Sequence, residues 1–123
     1  MKKITNAQQI IDIIEPIPAE KFITDAWGNH EGESCLMGHI HRKLNKTGKI
    51  LGIISINNPK DYHGDNNGYG ARSLTRKFLK ERHGLTDVTG IDVNDSPTIN
   101  GYTEPVIKDR VMHMLKDMVE AGY

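Results

Sequence analysis

The chain has one cysteine, Cys35, among its 123 residues, so no intrachain disulfide can staple it. It also has no net charge, because sixteen basic side chains balance sixteen acidic ones. A dedicated DNA binder usually carries a basic excess that releases counterions from phosphates, so double-stranded DNA is set aside as a partner. A local basic patch could still hold something small and anionic. The longest apolar run, Ile50 to Ile56, falls far short of the ~20 residues that span a bilayer, and no membrane partner is expected. Met1-Lys2-Lys3 is basic, but Asp12 and Glu15 interrupt what would be the apolar part of a signal peptide. The expected compartment is therefore reducing and cytoplasmic. No repeat, linker or low-complexity tract divides the sequence, so residues 1–123 read as a single domain. At this length roughly two-thirds of the unfolded surface can be buried, enough for a core without staples.

What is present reads mainly as helix. Thr5 or Asn6 can cap a first helix in which Ala7, Ile10, Ile11 and Ile14 recur at helical spacing, ended by Pro16 and Pro18. Ala19 to Trp27 is ambiguous; a short helical turn there would carry Phe22, Ile23 and Trp27 into the core. A polar stretch, Gly28 to Ser34, precedes a helix from about Cys35 to Leu44, with Leu36, Ile40 and Leu44 on one face and Met37 at its margin. Lys49 to Ile56 is rich in isoleucine without helical period and reads as a short buried strand, for which Val88 to Val93 is the best partner. Asn57 to Gly70, with four Asn, three Gly and one Pro, reads as a long surface loop. A helix from about Ala71 to His83 follows, closed by Gly84. After Asn94-Asp95-Ser96-Pro97, Thr103 can cap a last helix with Glu104 and Pro105 in its first turn. Its stripe is Ile107, Val111, Met114, Leu115 and Met118. The expected fold is a compact, mainly α bundle of about four helices with at most a small β element, α+β being the alternative.

Three features in order carry a resemblance: Trp27 before a polar turn, the helix opening Cys35-Leu36-Met37-Gly38, and Asn94-Asp95 before a Thr-led helix with Val106. The layout resembles a family of small bacterial and phage-encoded proteins that carries a domain of unknown function. That family is mostly helical, with a Cys-Leu-x-Gly helix and an Asn-Asp turn before the final helix. The likeness covers about half of the chain. The family usually has a small residue where this chain has His39, and it is more compact between the second and third helices. The resemblance implies a phage or mobile-element accessory protein, acting in the cytoplasm of a host bacterium, and implies no activity.

Two constellations could carry chemistry. Cys35 and His39 are four apart and stack on one side of a helix; a helix N-terminus and a neighbouring imidazole are what lower a thiol's pKa in cysteine hydrolases. His63 or His83 could then act as base, oriented by Asn94 or Asp95. The plainer reading of a lone cysteine is a small buried side chain. No metal is expected, since His39 and His41 diverge on a helix and Cys35 with His39 is half a zinc site. The other constellation is the glycine-rich loop ending Gly68-Tyr69-Gly70 at the start of a helix bearing Arg72, Arg76 and Lys80 on one side, with His83 nearby. Its glycines and free N–H groups suit an anion, and Tyr69 could stack on a base. It is neither a P-loop nor a dinucleotide fingerprint, and a charged stripe is also an ordinary solvated face. The Asn94-Asp95-Ser96-Pro97 stretch is explained by turn chemistry. The reading is a non-catalytic binding module without cofactor, engaging a host protein or a small anionic, nucleotide-like ligand. A cysteine-dependent hydrolase or transferase built on Cys35 and His39 is the alternative.

Overall fold

The computed structural model describes residues 3–44 and 68–123. Among these residues the chain forms a mainly helical bundle of α1 (Ala7–Ile14), α2 (Leu36–Leu44), α3 (Ala71–His83), α4 (Gly90–Asp95) and α5 (Ile107–Glu120). There is no strand among them, only isolated bridges from Ser34 to Phe22 and Gly28. The stretch expected as a strand, Lys49 to Ile56, and the stretch expected as a loop, as far as Asn67, lie outside the described residues.

Each end of α1 has a local cause. Asn6 Oδ1 accepts the Gln9 N–H at 2.9 Å, and Gln9 Oε1 reaches back to the Thr5 and Asn6 N–H groups, satisfying donors the helix leaves free. Ala7, Ile10, Ile11 and Ile14 are all buried, the face the spacing predicted. The chain then makes a short 3₁₀ turn at Ala19–Lys21 that sends Phe22 into the core, with Ile23 and Trp27 half-buried. Helix α3 keeps the expected bounds. Gly84 adopts a left-handed φ of 67°, and its N–H and that of Leu85 close on the carbonyls of Lys80 and Leu79. The core side of α3 is Ala71, Thr75, Phe78 and Leu79, with Leu74 half-buried at the edge.

The expected strand at Val88 to Val93 is instead the start of α4. Thr89 caps that helix, its hydroxyl accepting the Ile91 N–H at 3.2 Å while Asp92 Oδ2 accepts the Thr89 N–H at 2.8 Å. Local capping chemistry therefore outweighs the β-branched composition that suggested a strand. The last helix also starts later than Thr103 predicted. Glu104 and Pro105 precede it, and Val106 occupies the cap position without a side-chain bond. Two tertiary demands hold the preceding segment off the helix. Tyr102 is drawn fully inside the molecule, and Arg110 Nη1 grips the carbonyls of Glu104 and Pro105. Val111, Met114, Leu115 and Met118 are buried as the stripe required, and Ile107 is half-buried. Helix α5 is the centre of the bundle, packing on α1, α4 and the 3₁₀ turn, while α2 packs between α1 and α4.

Candidate functional site

Cys35 immediately precedes α2 and is 5% exposed, with its Sγ accepting the Gly38 N–H at 3.4 Å. Burial pushes the thiol up from 9.0 to about 11, the Asp95 carboxylate adding to the effect and the Gly38 N–H opposing it. A helix start would lower a thiol's pKa, but here desolvation of the thiolate is the larger effect. His39 is no help to it. Its ring Nε2 lies 2.8 Å from the Lys21 carbonyl, which can only accept, so that nitrogen carries the proton and donates. The ring also packs against Phe22 at 4.6 Å between centroids. Burial holds the His39 imidazole below its usual pKa, keeping it neutral. His83, the other described candidate base, is engaged with the Tyr102 hydroxyl at 3.0 Å. The other suggested base, His63, lies outside the described residues.

The Cys35 pKa sets a pH dependence. An unfolded thiol ionises near 9 while the folded one resists to about 11, so its contribution to stability is complete below pH 9 and is lost as pH rises through 11. Between about pH 8 and pH 11 the protein should lose about 2–3 kcal/mol more than a Cys35→Ser variant does. Urea titrations of both proteins at the two pH values measure this, and parallel losses would show that folding does not raise the thiol's pKa.

At the start of α3 the structure separates residues the sequence grouped. Gly68 is buried; a Cβ there would come within 2.7 Å of Met37 Sδ. Tyr69 is 7% exposed, bonds Ile4 through its backbone carbonyl at 2.9 Å and lies against the His41 ring. It is a core residue and offers no open face for a base, contrary to the expectation. Gly70 takes a left-handed φ of 97° at the cap position, where it provides no side chain for the helix's first N–H groups. Arg76 and Lys80 are exposed on α3, whereas Arg72 is half-buried and its enclosed Nε has no hydrogen-bond partner among the described residues. The surviving part of the predicted site is therefore the helix start and its three cations. Among the described residues no group of three His, Cys, Asp or Glu side chains is placed to hold a metal ion.

The residue whose role the sequence hid is Asn94. Rather than closing its own turn, it is fully buried in the last turn of α4. Its Oδ1 accepts the Leu36 N–H at the start of α2, and its Nδ2 donates to the Ile23 carbonyl, both at 2.9 Å. Asn–Asp before the last helix was the only signal of it. Arg42 does a similar service for the polar stretch, donating to Ser34 Oγ and to the Asn29 carbonyl. Comparison of the chain with family models, curated proteins and solved structures gives no match.

Proposed function

We propose that this protein is a non-catalytic binding module, of the phage or mobile-element type, whose α3 face engages a small anionic ligand or an acidic patch on a host protein. One observation carries the reading: among the described residues Arg72 Nε is enclosed without an acceptor, beside a helix start that has no side-chain cap. A buried donor left unpaired costs about 1–3 kcal/mol, and an anion at that helix start would satisfy both it and the first N–H groups. Arg76 and Lys80 extend the positive charge along the same helix. The cysteine-hydrolase alternative has against it a thiol held protonated and an imidazole already committed to a backbone carbonyl.

Inorganic phosphate, ATP and a cyclic nucleotide, each added to the purified chain in a thermal-shift assay, test the anionic reading. At least one should raise the melting temperature, and Arg72→Ala should abolish that rise while Arg76→Ala weakens it. Stabilisation that survives both substitutions comes from another site. With no stabilisation by any anion, the α3 face has no small-molecule role.

A further inference from the structure

A cavity of about 240 Å³ lies between α1, the segment that precedes it and the end of α2. Its apolar lining is Ile4, Ile13 and Leu44. Ile13 and Leu44 are only half-buried, so an aliphatic group laid on them would take further apolar surface out of water. Its polar lining is Lys3, Lys43, Gln9 and Asp12. At roughly 30 Å³ for each water-sized group the space holds about eight of them, too few for a nucleotide. We infer that this cavity binds a free α-amino acid with an aliphatic side chain, of valine or leucine size.

The polar groups decide the ligand's charge. Neither lysine makes a hydrogen bond or an ion pair among the described residues. Lys3 is nevertheless held in place. The Ile4 N–H beside it donates to the Tyr69 carbonyl at 2.9 Å, and its stem lies against Gly70, where a Cβ would come within 3.2 Å of Lys3 Cε. Gln9 Oε1 is committed to the Thr5 N–H and hydroxyl and to the Asn6 N–H. That fixes which way the amide is turned and leaves Nε2 a donor with no acceptor among the described residues. Two ammonium groups and an amide N–H suit a carboxylate. Asp12 supplies the opposite sign: its Oδ1 accepts from Gln8 Nε2 at 2.9 Å, its Oδ2 takes no hydrogen bond, and no lysine or arginine among the described residues pairs with it. A simple anion in this cavity would meet Asp12, and a simple amine would meet two lysines. A zwitterion satisfies both, and its aliphatic side chain covers Ile13 and Leu44. The inference goes beyond the α3 reading and uses none of that helix's residues.

Calorimetric titration of the full chain at neutral pH and constant ionic strength tests this with L-leucine, L-valine and three trimmed relatives. Leucinamide lacks the carboxylate, 4-methylpentanoate lacks the ammonium, and glycine lacks the side chain. Leucine and valine should bind saturably, the first two relatives about tenfold more weakly than leucine, and glycine not measurably. Asp12→Asn, an exposed substitution that keeps the side chain's shape, should weaken leucine about fivefold and leave 4-methylpentanoate no weaker, whereas Lys43→Gln should weaken both. No heat with leucine or valine would overturn the inference, as would leucine binding unchanged in both Asp12→Asn and Lys43→Gln. 4-Methylpentanoate binding as tightly as leucine would also overturn it, replacing the amino acid by a plain aliphatic anion. Arg72→Ala should leave leucine binding intact, and Asp12→Asn should leave any phosphate response intact, so either site can fail alone.

Discussion

Replacing Gly38 with alanine is expected to destabilise the protein by about 3 kcal/mol or more, at the upper end of what overpacking costs. Helix propensity alone predicts the opposite sign, since alanine in a helix interior is favoured over glycine by about 1 kcal/mol. The structure decides between them. A Cβ on Gly38 would stand 1.8 Å from the Trp27 carbonyl oxygen and 2.9 Å from Ser34 Cβ. The first obstacle is backbone and cannot rotate away, so α2 or the 25–28 turn must move as a whole. That movement would also strain the Arg42 bonds to Ser34 and Asn29. Gly32 is the internal control: it has open space around it and only a left-handed φ of 82°, so alanine there should cost about 1 kcal/mol. Urea denaturation of the two variants makes the comparison, and a Gly38→Ala loss no greater than the Gly32→Ala loss would mean that α2 does not lie this close to Trp27.

How much of this was legible depends on the range of the interaction. The buried faces of α1, α3 and α5 were readable because a helical stripe is a local pattern: Ile10, Ile11 and Ile14 point inward wherever their helix docks. The capping of α1 by Asn6 and the stop of α3 at Gly84 were readable for the same reason. Thr89 was a local signal too, but the β-branched residues around it obscured the capping box. The remaining differences are long-range. Nothing near Tyr69 says that it will lie on His41, so it read as an exposed ring beside glycines. Nothing near Asn94 says that its amide will cap a helix 58 residues earlier in the chain. The proposed α3 site falls on the local side of this division. The α3 stripe of Arg72, Arg76 and Lys80 was visible as a periodicity.

Arg110 should be the other costly residue, and its substitution by alanine is expected to remove about 3–5 kcal/mol and lower the melting temperature by more than about 10 °C. It is 2% exposed, with Nε donating to the Val93 carbonyl at 2.6 Å and Nη2 to that of Asn94 at 2.5 Å. Its Nη1 reaches the Glu104 and Pro105 carbonyls at 3.0 and 3.1 Å. One guanidinium thus gathers the carbonyls at the end of α4 and those of the segment leading into α5. Alanine would leave these carbonyls without that donor, the two nearest of them bonded to buried guanidinium nitrogens, and would open a void where the guanidinium sits. Lysine is the informative second variant. An ammonium carries charge but is a compact point with three rotatable donors, and cannot fork to two elements at once. Arg110→Lys should therefore recover at most about half of the loss. Recovery to the native melting temperature would mean that charge alone matters here, through Asp95 and Glu104, and that the planar fork joining α4 to α5 is dispensable.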